Sequence, residues 1–272
     1  MRNPDPRGEA LAPGKIWFVG AGPGDPDLIT VKGRDLLARS GAILYAGSLV
    51  DRTATRYAPP DCDIRDSKDM TLEEMVDWLC EMAGRHAIVV RLQTGDPALY
   101  GALIEMTRPL SDAGIDWAVV PGVSSAMASM AAARETMTLP EVTQTVILTR
   151  TAGRTPMPEG EDLEALAAHH CTLCVYLSAT LIGKVQRALR AAGWREDAPI
   201  LVVQKASWPG EEKIVRGSLA DIAQKCREGG IGRQAMIIAS PTLGSAGWET
   251  LLRSKLYDPA FSHRYRRASE AA

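Results

Sequence analysis

Short apolar runs alternate along the chain with stretches of helical period, and this alternation predicts an α/β architecture. In the first half the runs predict strands at 15–20, where Lys-Ile-Trp-Phe-Val-Gly opens the pattern, and at 42–46, 62–66, 87–92 and 116–120. Helix-period segments fill the spaces at 30–39, 48–57, 71–84, 98–113 and 123–133. Thr71-Leu-Glu-Glu74 reads as a capping box, with Thr71 as N-cap and Glu74 three residues on. After Thr138-Leu-Pro-Glu141 the pattern restarts, with strands expected at 145–150, 172–177, 199–204, 212–216 and 235–240 and helices at 161–169, 180–192 and 218–228. Two successive strands flank Ser207-Trp-Pro-Gly210, which predicts a hairpin there. The expected fold is therefore two α/β domains, 15–137 with a mostly parallel sheet and 141–245 with a mixed one, between terminal extensions 1–14 and 246–272. No short-period repeat or low-complexity linker interrupts them.

Composition narrows the function classes. A chain of 272 residues, 46% hydrophobic, can bury about 70–75% of its unfolded surface without staples. The formal charge of −2 supplies no basic field for nucleic acid, so an anionic ligand must be held by local basic groups. Residues 1–14 are polar and Pro-rich, and no run reaches the roughly eighteen apolar residues of a membrane span, which predicts a soluble, cytoplasmic protein with no membrane partner. The five cysteines (Cys62, Cys80, Cys171, Cys174, Cys226) are odd in number and scattered, unlike a secreted disulfide framework. Cys171 and Cys174 form a C-x-x-C, but in a strand residues three apart face opposite ways, so they are expected as packed core thiols. His169 and His170 are adjacent while His86 and His263 are isolated, so no metal site is expected.

Three glycine-bearing loops carry the candidate chemistry. Gly20-Ala-Gly22-Pro23-Gly24-Asp25 directly follows the first strand, where the main chain can come close to a ligand. A Rossmann dinucleotide loop would need a third glycine at 25, where Asp25 would repel a pyrophosphate, and no acid ends the next strand at Ala46-Gly47. The nicotinamide reading fails on both counts. Thr94-Gly95-Asp96-Pro97 follows the fourth strand, with Asp96 expected as N-cap and Pro97 at the first helical position. Val120-Pro121-Gly122-Val123-Ser124-Ser125 ends the fifth. In an open parallel sheet such loops line one ligand crevice.

These motifs, with Tyr45-Ala-Gly-Ser-Leu-Val50, resemble the tetrapyrrole methylases, which methylate corrin precursors and related rings with S-adenosylmethionine. Within that family, Thr143-Gln-Thr-Val-Ile-Leu-Thr-Arg150, Gly153-Arg-Thr-Pro156, Lys213-Ile-Val-Arg216 and Arg233-Gln-Ala-Met-Ile-Ile238 resemble the branch that methylates C-11 of precorrin-4, with or without cobalt. The resemblance runs from about residue 15 to 258. It implies a homodimer with S-adenosylmethionine folded into the cleft between the two domains. Carried over by position, Pro23, Thr94, Gly95, Asp96, Leu99, Ser124 and Ser125 would line the methyl donor, and Leu177, Ala206, Ala235 and Met236 would cover its adenine. Ser240 stands where relatives often have Gly and is expected at the edge of that pocket.

A polycarboxylate macrocycle needs cationic contacts, for which Arg91, Arg150, Arg154 and Lys205 are the candidates. The enamine-like ring carbon is itself the nucleophile, so no catalytic base is named. Uroporphyrinogen-III methylation, diphthine synthesis and ribosomal RNA methylation stay open within the family, though two Phe, six Trp and six Tyr offer RNA few stacking platforms. A non-catalytic S-adenosylmethionine sensor is the alternative of a different class.

Overall fold

The computed structural model describes residues 14–250 and 254–268, and the chain divides into two units. The first comprises residues 1–128 together with the loop Lys205–Glu212; the second comprises 129–204 and 213–272. Most of the N-terminal extension and Arg253 of the basic tail lie outside the described residues.

In the first unit, strands β1 (Lys15–Gly20), β2 (Ala42–Tyr45), β3 (Asp63–Asp66), β4 (Ile88–Gln93) and β5 (Trp117–Val120) form one parallel sheet in the order β3-β2-β4-β1-β5. Helices α1 (Val31–Leu37), α2 (Leu72–Arg85) and α3 (Leu103–Asp112) connect them. Both faces are buried. Ile16, Phe18 and Leu44 pack with Leu79, Met82, Met106 and Leu110 on one side, while Val19, Ile43, Val90 and Leu92 pack with Leu36 and Leu37 on the other. That double burial is why these strands read as continuous apolar runs. The capping box is formed as expected: Thr71 Oγ1 accepts from Glu74 N at 3.2 Å and Glu74 Oε2 from Thr71 N at 2.7 Å.

Several expected helices are shortened, two of them for a visible reason. The segment 48–57 holds only a 3₁₀ turn, Arg52–Thr55, because Asp51 takes the Thr53 N–H at 2.8 Å and starts a tight turn that Pro59 and Pro60 prevent from growing. The helix expected from 98 begins at Leu103. Tyr100 (φ 57°) and Ala102 (φ 50°) are left-handed, and the buried Gln93 side chain donates to Gly101 O at 2.5 Å, holding the segment out of helical path.

The second unit carries β6 (Val146–Arg150), β7 (Thr172–Tyr176), β8 (Pro199–Gln204), β9 (Lys213–Ser218) and β10 (Ala235–Ala239), in the order β6-β7-β10-β8-β9. Only β6 and β7 pair parallel; the β8–β9 hairpin is present, and β10 runs antiparallel between β7 and β8. Helix α4 (Ser125–Ala133) crosses the division between the units. Helices α5 (Leu163–Ala167), α6 (Ile182–Ala191) and α7 (Ile222–Glu228) pack on the second sheet through Leu163, Val185, Leu189, Ile222, Leu173, Val175, Val202 and Ile237. Cys171 joins this core while Cys174, three residues on, is fully buried outside it, as strand alternation requires. Burial pushes the Cys174 thiol up to about 12.

Ser240, expected at a pocket edge, is instead fully buried. Its hydroxyl meets those of Thr172 (2.5 Å) and Thr242 (2.8 Å), and Thr172 donates on to Met137 O, so Ser240 belongs to a hydroxyl chain that holds the chain before β6 against β7 and the end of β10. A buried hydroxyl is stable only when so partnered.

Candidate active site

The order β4-β1-β5 makes the three glycine loops neighbours at the carboxyl edge of the first sheet. Gly95 N donates to Gly22 O at 2.8 Å. A methyl group at Gly20 would fall 2.5 Å from Gly95 O and 2.6 Å from Gly122 Cα, and one at Gly122 would fall 2.0 Å from Gly95 O. The three backbones therefore touch, and only glycine permits it. Asp96 fastens the arrangement. Its Oδ1 accepts from Ala98 N at 2.8 Å and its Oδ2 from Gly122 N at 2.9 Å, so it caps a turn, not the helix start expected from sequence, and ties the loop after β4 to the loop after β5. Pro23 and Gly95 are buried; Thr94, Asp96, Leu99, Ser124 and Ser125 are half-buried around the same edge.

The second sheet gathers another set. Arg150 pairs with Tyr176 at the ends of β6 and β7, Leu177 follows at once, and Ala235 begins β10 opposite Gln204, the last residue of β8. One edge thus carries Arg150, Leu177, Ala235 and Met236. Leu177 is left-handed (φ 54°) and 64% exposed, an unusual state for a large apolar side chain; Met236, by contrast, is 4% exposed within the strand.

Residues 15–223 match the family described as Tetrapyrrole (Corrin/Porphyrin) Methylases. The chain belongs to this family. The methylase is 47% identical to a cobalt-precorrin-4 C(11)-methyltransferase from Priestia megaterium, over 93% of this chain and 98% of that one. It is 41% identical to a precorrin-4 C(11)-methyltransferase from Pseudomonas aeruginosa, over 92% and 98% of the two chains. Among solved structures, a cobalt precorrin-4 methyltransferase described as a cobalamin biosynthetic enzyme matches with a TM-score of 0.80 and 48% identity, covering 83% of this chain and 94% of that chain.

Tetrapyrrole methylases use S-adenosylmethionine, and the residues at the first sheet edge fit it. A floor of touching main chains leaves room for the methionine moiety, each Asp96 oxygen keeps a lone pair beyond its backbone bond, and Ser124 and Ser125 add hydroxyls. Among the described residues no group of three His, Cys, Asp or Glu gathers to hold a metal, and no helix is long and apolar enough to cross a membrane.

The four candidate cations of the methylase separate sharply. Arg91 is 5% exposed on β4 and donates to Leu44 O and Ser67 Oγ, with Met75 Sδ at 3.5 Å. Burial pushes its pKa down to about 10, partly opposed by the charge of Asp66, and its Nε has no partner. The structure therefore places it in the interior. Arg150 closes its own loop by donating to Thr155 O and Pro156 O, and Lys184 donates to Ala152 O in the same loop. Lys205 pairs with Glu211 and lies 4.8 Å from the centre of the Trp208 ring. Arg154, at the tip of the loop Arg150 closes, is exposed and has no ion-pair or hydrogen-bond partner among the described residues.

Sequence reasoning passed over Ser207 and Trp208, which it read only as a hairpin turn. Both contact the first glycine loop. Gln93 was missed as well, since nothing local distinguishes a strand-end glutamine that will hold a carbonyl eight residues on.

Proposed function

We propose that this methylase transfers the methyl group of S-adenosylmethionine to C-11 of precorrin-4, giving precorrin-5 in corrin ring biosynthesis, and that it works as a homodimer in the cytoplasm. What carries the reading is the 41–47% identity to C(11)-methyltransferases over nine-tenths of the chain, in a protein whose glycine loops meet at one sheet edge. The higher identity to the cobalt-precorrin-4 enzyme favours the cobalt-bearing ring as the first substrate to test.

S-adenosylmethionine supplies a methyl group made electrophilic by its sulfonium sulfur. By the family resemblance, the loops after β1, β4 and β5, with Pro23, Thr94, Gly95, Asp96, Leu99, Ser124 and Ser125, would hold the donor, and Leu177, Ala206, Ala235 and Met236 are assigned to its adenine. The ring carbon, driven by a pyrrole nitrogen, would attack that methyl group in line: the new carbon–carbon bond forms as the methyl–sulfur bond breaks, S-adenosylhomocysteine leaves, and the nitrogen's proton is released. The protein need not create the nucleophile. Orientation and exclusion of water are its contribution, and orientation alone can be worth about 7–11 kcal/mol. Arg154, with an uncommitted guanidinium, meets a substrate carboxylate.

Purified protein given methyl-labelled donor and either metal-free or cobalt-bearing precorrin-4, with mass analysis of the product, tests the reading. Labelled product from one ring form supports it. Donor binding without turnover on either ring would make the chain a sensor instead. Light scattering during gel filtration checks the dimer, and a monomer at working concentration would count against it.

A further inference from the structure

We propose that Ser207 and Trp208 are positioning residues for the methyl-donor site, holding the main chain of Pro23-Gly24-Asp25 in the shape that receives the donor. The inference rests on the donor-binding role given to the first glycine loop above.

The loop Lys205–Glu212 belongs to the first unit although it joins β8 to β9 of the second sheet. Two of its residues cover three consecutive residues of the glycine loop. Trp208 Nε1 donates to Pro23 O at 3.0 Å, and Ser207 Oγ accepts from Asp25 N at 3.0 Å. Between these bonds the five-membered ring of the indole closes on Gly24, where an added methyl group would fall 2.0 Å from Trp208 Cδ1 and 2.3 Å from its Nε1. Pro23 has no N–H and Gly24 no side chain, so this segment can offer little to fix itself. Asp25 also starts the next turn by accepting from Asp27 N and Leu28 N, but at Pro23 and Gly24 the conformation is set from outside.

The covering loop is in turn fastened within itself. Lys205 (φ 49°) and Ser207 (φ 68°) are both left-handed without being glycine, a strained state that persists only where surroundings enforce it. Ser207 N donates to Glu212 Oε2 at 2.7 Å, Trp208 N to Lys205 O at 2.9 Å and Glu211 N to Trp208 O at 3.1 Å. The Lys205–Glu211 ion pair and the ammonium beside the indole brace the ring. Lys205, expected at the macrocycle, is engaged in this brace. A donor held by main-chain groups is sensitive to small displacements of that main chain, because those groups have no rotamers with which to adjust.

Four full-length variants test this: Trp208→Phe, which keeps an aromatic ring and drops the N–H; Trp208→Ala, which removes the indole; Gly24→Ala, which pushes a methyl group into the indole; and Gly24→Ala with Trp208→Ala, which removes the collision. The readouts are S-adenosylhomocysteine affinity by calorimetry, KM for each substrate, and Tm. Gly24→Ala is expected to weaken cofactor affinity about tenfold and Trp208→Phe about threefold, with tetrapyrrole KM within about twofold of the unaltered protein. The double variant is expected to bind cofactor more tightly than Gly24→Ala alone, a non-additivity that marks direct contact. Unchanged cofactor affinity in Gly24→Ala and Trp208→Phe, a tetrapyrrole KM that rises in step with that of the donor, or strict additivity would each overturn the proposal while leaving the methyltransferase reading intact. Failure of the unaltered protein to bind S-adenosylhomocysteine would overturn that reading, and the proposal with it.

Discussion

The two sheets build binding edges by different means. In the first, all five strands are parallel, so every strand ends at the same edge and neighbouring strands bring their loops together without further specification. In the second, β6, β7 and β8 end where β9 and β10 begin, so its edge combines strand ends with strand starts. A parallel edge presents loops and helix entries, suited to holding a ligand by main chain. A mixed edge presents single side chains such as Leu177 and Ala235 whose meeting depends on register. The contrast extends to charge, since Arg91 of the first sheet is interior while Arg154 of the second unit is exposed.

The largest effect that would break this contrast concerns Arg91. Arg91→Ala is expected to destabilise the protein by about 2–5 kcal/mol in urea unfolding, since it leaves a cavity and orphans the partners of a buried cation. A stable variant with a raised tetrapyrrole KM would show instead that this guanidinium reaches substrate. Asp96→Ala comes next: freeing Gly122 N and Ala98 N should loosen two loops of the parallel edge and weaken S-adenosylhomocysteine binding by about one hundredfold, read by calorimetry. Unchanged affinity would separate the edge from the donor site. For Arg154→Ala the expectation is tetrapyrrole binding weaker by about tenfold, with cofactor affinity unaltered and stability within about 0.5 kcal/mol. Equal loss of both ligands would deny the second unit its substrate role. The smallest change is Thr71→Ala, which opens the capping box of α2 and should lower stability by about 1 kcal/mol while kcat and both KM values stay put; a change in KM would mean that α2 communicates with the edge.

Much of this is legible in the order of residues. The apolar runs placed every strand to within two residues, and the Thr71–Glu74 box marked the start of α2, because burial on two faces and local capping both leave direct traces in residue order. Segments 48–57 and 98–102 are among those that do not form the helix their pattern predicts. There a side chain competing for backbone groups, Asp51 in one and the distant Gln93 in the other, overrode a helical pattern. The burial of Ser240 is not legible locally because one of its hydroxyl partners, Thr172, lies 68 residues away.

The sequence by itself determined the alternation of strands and helices, the three glycine loops and membership of the methylase family, all of which rest on local pattern or on ordered motifs. Tertiary structure decided what those parts do to one another. It set Gly20, Gly95 and Gly122 in mutual contact, turned Asp96 from a helix cap into a bridge between loops, withdrew Arg91 into the interior and laid Trp208 over Gly24. The reason is physical: a contact between residues 185 positions apart has no local energetic signature, and it exists only because strand order and burial bring the two segments to the same place.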